Sequence, residues 1–162
     1  MIKKIKTEIL INATPEKIWS ILTKFENYPN WNPFIKSIYG EIKVGSKIKV
    51  RIEPPQAKGM TFTPTVLTFV TNKELSWLGH LLFAGVFDGE HKFELIDNAN
   101  GTTTFIQSEK FTGILVSLFK NQLDNNTKKG FEEMNKKLKE LAEELIPFEE
   151  KGNIKNVLLG DR

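Results

Sequence analysis

The sequence contains no cysteine, so disulfides, thiol nucleophiles and thiolate metal sites are excluded. It also lacks a long hydrophobic run. The longest nearly apolar stretch, WLGHLLFAGVF, covers 11 residues, about half of a membrane span. The basic start, MIKKIKTEILIN, alternates apolar and charged residues and lacks the apolar block of a signal peptide. Together these absences predict a cytoplasmic protein.

Motifs for several kinds of chemistry are also missing. No serine lies in a G-x-S-x-G nucleophile motif, and no glycine-rich loop follows a strand and opens a helix as a phosphate site would. Only two histidines occur, and strand alternation puts Asp88 and Glu90 on the face opposite His91. We therefore expect neither a metal site nor a cofactor.

The charge balance is mildly basic, with 23 lysines and arginines against 20 acidic residues and a net charge of +3. The lysines are spread along the chain without an aromatic RNA-binding signature, so we predict no nucleic-acid partner. Several lysines share the solvent face of the late helix, where contact with an anionic membrane would be transient at most. They are Lys128, Lys129, Lys136, Lys137 and Lys139.

Apolar periodicity predicts one domain, residues 1–147, and a C-terminal tail, 148–162, which lacks clear periodicity and is expected to be mobile. Residues 4–11 alternate as a half-buried strand, and Thr14 followed by Pro15 predicts the start of a short helix. About six further strands follow, joined mainly by hairpins, and the DNANG segment gives the clearest turn signal. The sequence indicates no oligomeric state.

A long helix is predicted from about Ile114 to Ile146, with an apolar stripe at helical spacing and Pro147 beyond its end. This order of elements predicts an α+β fold, in which a curved antiparallel sheet of about seven strands wraps around one long C-terminal helix. Such a sheet leaves a cavity beside the helix. The short helices near residues 14–30 are expected to close one end of it.

The chain resembles the START-like, polyketide cyclase-dehydrase and pollen-allergen superfamily, specifically its bacterial single-domain subgroup. The segments that carry the resemblance run in family order across residues 3–145 and are INATPEKIWSILTKFENYPNWNPFI, MTFTPTVLTF, LSWLG, FDGEHKFELI, GTTTFIQSEKFTG and GFEEMNKKLKELAE. The resemblance implies the helix-grip fold, with a hydrophobic-ligand cavity between helix and sheet. It does not imply one activity, because such folds host carriers, cyclases, receptors and chaperone cofactors.

The segment NYPNWNPFI sets bulky side chains between two prolines, and we predict that it forms a wall at one end of the cavity. A purely structural core is the alternative. Ligand contacts are predicted for two groups of residues: apolar walls and polar or backbone positions. The walls are Tyr28, Trp31, Phe34, Phe62, Val66, Trp77, Phe93 and Phe105. The other positions are His91, Gln107, Glu109 and, for close backbone approach, Gly130.

His91 and Glu109 form the most informative pair, because each shares its strand face with phenylalanines and should point inward. Hairpin pairing puts His91 opposite or diagonal to Gln107 or Glu109. One interpretation is that His91, Gln107 and Glu109 anchor a ligand head group, with His91 and Glu109 as candidate acid/base residues. The alternative is a satisfied polar pair that only joins the two strands. His80 is interpreted as a core or rim histidine.

Three functions remain open at this stage. The first is the binding, transport or sequestration of a hydrophobic or aromatic small molecule or lipid. The second is a cyclase or dehydratase in which His91 and Glu109 move protons. The third is a protein-interaction module with an interior filled by side chains. An open interior would favour the first two over the third.

Overall fold

The computed structural model describes residues 1–144, in which eight strands precede the C-terminal helical segment. The strands are β1 (Ile2–Ile11), β2 (Ile35–Tyr39), β3 (Lys49–Ile52), β4 (Met60–Phe62), β5 (Thr65–Val70), β6 (Glu74–Leu81), β7 (Phe87–Asp97) and β8 (Thr103–Thr112). The helices are α1 (Pro15–Thr23), a 3₁₀ turn (Phe25–Asn27), α2 (Tyr28–Trp31), α3 (Lys120–Gln122), a π-helical turn (Leu123–Thr127) and α4 (Lys128–Glu143).

The strands form two antiparallel sheets that together make one curved surface. The larger sheet has the order β1-β8-β7-β6-β5, and the smaller has the order β2-β3-β4. Backbone hydrogen bonds join segment 45–48, just before β3, to segment 64–66 at the start of β5. Pro64 interrupts the strand pattern between β4 and β5, since proline cannot donate to a ladder. The predicted α+β helix-grip architecture is confirmed, with eight strands instead of about seven.

Local signals position the short helices as predicted. The Thr14 hydroxyl accepts a hydrogen bond from the Lys17 N–H at 3.4 Å, and Pro15 occupies the first helical position. Helix α1 buries Ile18, Trp19 and Leu22 in the core. Together with the 3₁₀ turn and α2, it covers one end of the fold.

The predicted start of the long helix at Ile114 is wrong, because residues 114–119 form turns and the helical segment begins at Lys120. The N–H groups of Ile114 and Leu115 donate to the carbonyls of Gly85 and Val86, so this stretch is bonded to the β6–β7 loop instead of to a helix. Gly113, at φ +130°, makes the turn that leads into it. The predicted helix end at Ile146 and the tail 148–162 lie outside the described residues.

Helix α4 packs along the larger sheet through the predicted stripe. Phe131, Met134, Leu138 and Ala142 are buried on it. Asn135, on the same buried side, donates from its side-chain amide to the Thr7 hydroxyl of β1 at 2.9 Å. Within residues 1–144, no helix has both the length and the apolar character needed to cross a membrane.

Candidate functional site

A cavity of about 180 Å³ lies between the smaller sheet, the ends of β6, β7 and β8 away from the DNANG turn, and the start of the terminal helical segment. Its walls are mainly aliphatic and aromatic. The apolar lining comprises Phe34, Ile35, Val50, Ile52, Pro54, Met60, Phe62, Pro64, Trp77, Leu81, Phe87, Phe111, Phe119 and Leu123. Gly79, His80, Gly89, His91, Glu109, Gln122 and Thr127 complete it. An apolar pocket with few polar groups is typical of small-molecule sites.

Strand alternation explains which side chains reach this cavity. In the register of β6 and β7, Trp77 faces His91 and Leu81 faces Phe87, so the inward positions of two strands are stacked along one surface. Phe87 in turn packs against Phe111 and Phe119, each at a ring separation of 5.5 Å. These three phenylalanines form an apolar wall at the end of the cavity nearest the β6–β7 loop.

His91 and Glu109 are the central polar pair of the cavity. They are directly opposite in the β7–β8 register, and His91 Nδ1 lies 3.3 Å from Glu109 Oε2. His91 is only 3 % exposed, and its ring stacks on Trp77 with 4.9 Å between centroids and 14° between planes. The stacking and the hydrogen bond hold the imidazole in one orientation.

Gln107 contacts the second nitrogen of the His91 ring. Its amide Nε2 lies 3.4 Å from His91 Nε2, while its Oε1 is buried without a hydrogen-bond partner among the described residues. An amide N–H donates, so His91 Nε2 accepts and Nδ1 carries the proton shared with Glu109. If the Gln107 amide turned by half a revolution, Oε1 would accept from a protonated ring. This pairing can therefore accommodate His91 in either charge state.

Gly89 makes room for the Glu109 carboxylate. A Cβ on Gly89 would lie 2.5 Å from Glu109 Oε1, closer than any Cβ contact allows. The missing side chain on β7 therefore creates the space in which the acid points into the cavity beside His91. Gly79, on β6, differs: a Cβ there would meet only Pro64 Cβ, at 3.5 Å, which is ordinary contact.

The residues predicted to contact a ligand fall into two groups in the structure. Those that line the cavity are Phe34, Phe62, Trp77, His91 and Glu109. Those outside its lining are Tyr28, Trp31, Val66, Phe93, Phe105, Gln107 and Gly130. The second group is mostly core, and Gln107 reaches the site only through its contact with His91.

The segment NYPNWNPFI contributes one aromatic residue to the cavity wall. The Tyr28 ring packs edge-on against Trp31, with 5.2 Å between centroids, and its hydroxyl donates to the Leu22 carbonyl. Burial raises the pKa of the Tyr28 phenol. Of the three aromatic residues, Phe34 alone lines the cavity, beside Ile35, and its ring occupies the place next to Gly130 that we predicted for a ligand.

His80 lies at the cavity margin, but its ring belongs to a different contact. Its Nδ1 is 2.7 Å from Asp88 Oδ1, and Asp88 also accepts from the Gly85 N–H. Burial acts to raise the pKa of Asp88, yet the hydrogen bonds from His80 and Gly85 outweigh it and hold that pKa below its ordinary value. This pair stabilises the β6–β7 loop.

Several lining residues were not predicted, notably Phe87, Phe111 and Phe119. The first two share strand faces with His91 and Glu109, so alternation alone could have found them. Phe119 could not be found that way, since it was assigned to a helix. Within residues 1–144, no three histidine, aspartate or glutamate side chains converge as a metal site would require.

The family model described as polyketide cyclase / dehydrase and lipid transport matches residues 3–143. The chain belongs to this family. No curated protein matches the sequence. The match spans every element that lines the cavity, from Phe34 to Thr127.

Solved structures of the same fold include a cyclase, a synthase and a START superfamily protein. The aromatase/cyclase Zhui from Streptomyces sp. R1128 has a TM-score of 0.71 and 11 % identity, covering 88 % of this chain and 94 % of its own. A START superfamily protein from Mycobacterium smegmatis gives 0.66 and 20 %, covering 88 % and 99 %. A norcoclaurine synthase point mutant from Thalictrum flavum gives 0.67 and 12 %, covering 88 % and 94 %. At these identities the likeness shows the fold alone.

Proposed function

We propose that the protein binds an apolar or aromatic small molecule, or a lipid acyl chain, in the cavity beside the terminal helix. The observation that carries the proposal is the open space of about 180 Å³ walled by aliphatic and aromatic side chains. Burial of apolar surface would supply most of the binding free energy, at about 25 cal/mol per Å². The family description, which includes lipid transport, supports the same class of ligand.

His91 and Glu109 would orient the bound molecule. They are adjacent polar groups in a mainly apolar lining, and polar groups of this kind fix a ligand's orientation. A hydroxyl, carbonyl or carboxyl head group placed against them would leave the apolar part of the ligand against Trp77 and Phe111. Phe93 and Phe105, stacked at 5.8 Å, would act as the packed floor behind the site.

A cyclase or dehydratase activity is the second candidate, favoured by the same pair. Glu109 accepts a hydrogen bond from the Nδ1–H of His91, and the Gln107 amide can form a hydrogen bond with either charge state of the ring. This arrangement suits a residue that gains and loses a proton. Two of the solved structures with this fold are those of an aromatase/cyclase and a norcoclaurine synthase point mutant. The interaction-module alternative receives less support, because the interior is not filled by side chains.

Filling the cavity tests the proposal. Gly79 faces inward between Trp77 and Leu81, so Gly79→Leu would put a side chain into the space, whereas Gly79→Ala would add only one methyl group. Titration with a fluorescent apolar probe should show saturable binding to the wild type and to Gly79→Ala. The affinity of Gly79→Leu for the probe should be lower by roughly tenfold or more. Equal binding by all three folded proteins would show that the probe does not occupy this cavity.

A further inference from the structure

One oxygen of the Glu109 carboxylate is available to a molecule in the cavity. Its Oε2 accepts the hydrogen bond from His91 Nδ1–H, whereas Oε1 has no hydrogen-bond partner among residues 1–144. The residue lines the cavity, and its side chain is 17 % exposed. Oε1 lies beside the backbone of Gly89, where a Cβ would come within 2.5 Å of it. A ligand group that enters this space therefore meets a carboxylate oxygen with unused lone pairs.

The hydrogen-bond donors of the same polar cluster are already used. His91 Nδ1 donates to Glu109, and His91 Nε2 accepts from the Gln107 amide. The same amide nitrogen also donates to the Met134 sulfur at 3.5 Å, so both of its hydrogens have acceptors. Gln107 itself is buried and lies outside the cavity lining. The cluster therefore offers a ligand an acceptor, Glu109 Oε1, and no free donor.

The charges around the cavity disfavour a second anion. Within the described part of the chain, no lysine or arginine lines the cavity. His91 is neutral in this arrangement, since its Nε2 accepts a hydrogen bond, and His80 is paired with Asp88. Lys3, on β1, is paired with Asp124. The described lining therefore holds no cation that would offset the charge of a bound carboxylate.

The remaining lining residues do not reverse this preference. Gln122 and Thr127 are neutral side chains that can donate or accept, so they select neither sign of charge. The Phe111 ring borders the same space as Glu109 Oε1, because its Cε1 would lie 3.6 Å from a Cβ on Gly89. Aromatic rings attract cations over their faces, and the lining is rich in them. The surroundings of Oε1 therefore suit a positively charged donor.

We propose that the cavity selects ligands whose polar group donates hydrogen bonds and carries no negative charge, with a protonated amine on an apolar or aromatic body as the preferred class. This inference rests on the proposed function and narrows the head groups that it allows. A hydroxyl or an amine can donate to Glu109 Oε1, whereas an ionised carboxyl group cannot. An ammonium group would form a charge-assisted hydrogen bond, which is stronger than a neutral one. The body of the ligand would lie against Trp77 and Phe111.

Four naphthalene compounds that differ in one substituent test this selectivity at neutral pH. The substituents are aminomethyl, hydroxymethyl, carboxylate and ethyl, and the ethyl compound measures binding of the apolar body alone. Both charged groups lose hydration on entering the cavity, so comparing them isolates the sign of charge that the site prefers. Wild type should bind the amine roughly tenfold or more tightly than the carboxylate, because like charges in contact repel each other. The affinity for the hydroxymethyl compound should lie between the two.

Two matched substitutions assign the preference to one carboxylate. Glu109→Gln keeps the shape of the side chain and removes its charge, so the ratio of amine to carboxylate affinity should fall to within about threefold of unity. The control is Glu90→Gln, which removes the same charge from β7 at a position that alternates with the lining residues Gly89 and His91. This variant should keep the wild-type ratio. Saturable binding of the ethyl compound by each variant shows that the cavity is intact.

The ethyl compound also lets the selectivity and the proposed function fail separately. Wild type that binds this compound but prefers the carboxylate, or binds amine and carboxylate equally, would overturn the selectivity and leave the proposed function standing. Equal losses of the ratio in Glu90→Gln and Glu109→Gln would do the same, because the preference would then come from the overall charge. Saturable binding of none of the four compounds would contradict the proposed function, and the selectivity with it.

Discussion

The Phe34 ring fills the space beside Gly130 so closely that a Cβ on Gly130 would lie 2.3 Å from Phe34 Cδ2. Phe34 is itself fixed, edge-on against Phe131 at 5.3 Å between centroids. The glycine in the terminal helix thus allows the helix to approach the cavity wall. It also explains why a residue with a poor helix propensity is found in the middle of the helical segment.

Gly130→Ala should therefore destabilise the protein. Alanine improves helix propensity by about 1 kcal/mol, but overpacking against a fixed ring costs about 1–3 kcal/mol. Urea denaturation measures the net change in the free energy of unfolding. The exposed position Lys136 supplies the control, since Lys136→Ala should stay within about 0.5 kcal/mol of wild type. In a Phe34→Leu background the cost of Gly130→Ala should shrink, and a more stable Gly130→Ala single variant would contradict the clash.

Substitution of the polar pair separates a ligand-orienting role from a bracing role. His91→Ala removes a ring stacked on Trp77 and should lower stability by about 2–4 kcal/mol as well as weaken ligand binding. Glu109→Gln keeps the shape of the side chain and should affect binding more than stability. Probe titration and thermal melts are recorded for both variants. Unchanged affinity in both, with lowered melting temperatures, would mean that the pair only joins β7 to β8.

Asp88 should make stability fall at acid pH. Its pKa is lower in the folded protein than in the unfolded chain, so the folded state binds this proton less readily. The stabilisation is complete above the unfolded value, about 3.9, and is lost as the pH falls through the lower folded value. Asp88→Asn should therefore show a flatter dependence of melting temperature on pH below about 4. Parallel curves for wild type and variant would show that Asp88 does not contribute to the pH dependence of stability in this range.

The sequence predicts the order and faces of the strands well, because apolar alternation and turn residues are local signals. These signals do not predict which residues along one strand face line the cavity and which lie in the core. Phe93 and His91 share one face of β7, yet Phe93 packs on Phe105 in the core while His91 reaches the cavity. The His91 ring packs against Phe131 of α4 and the Phe93 ring against Trp77 of β6, and alternation carries no information about such contacts between elements. The false helix start at Ile114 has a similar origin, since its hydrogen bonds go to the distant loop at Gly85 and Val86.

The ligand walls show the same limit. Four bulky residues in NYPNWNPFI look equivalent in the sequence, but Tyr28 and Trp31 pack on each other, and only Phe34 and Ile35 line the cavity. Conversely, Phe111 lies two residues from Glu109 on the same face, and extending the inward face to the end of each strand would have identified it.

Native mass spectrometry of freshly purified protein tests the central claim most directly. The wild type should carry one co-purifying small molecule, or take up one apolar probe molecule when supplied, and Gly79→Leu should carry neither because its side chain occupies the cavity. A wild-type mass equal to that of the bare chain even with excess probe would contradict the account. So would equal occupancy of wild type and Gly79→Leu.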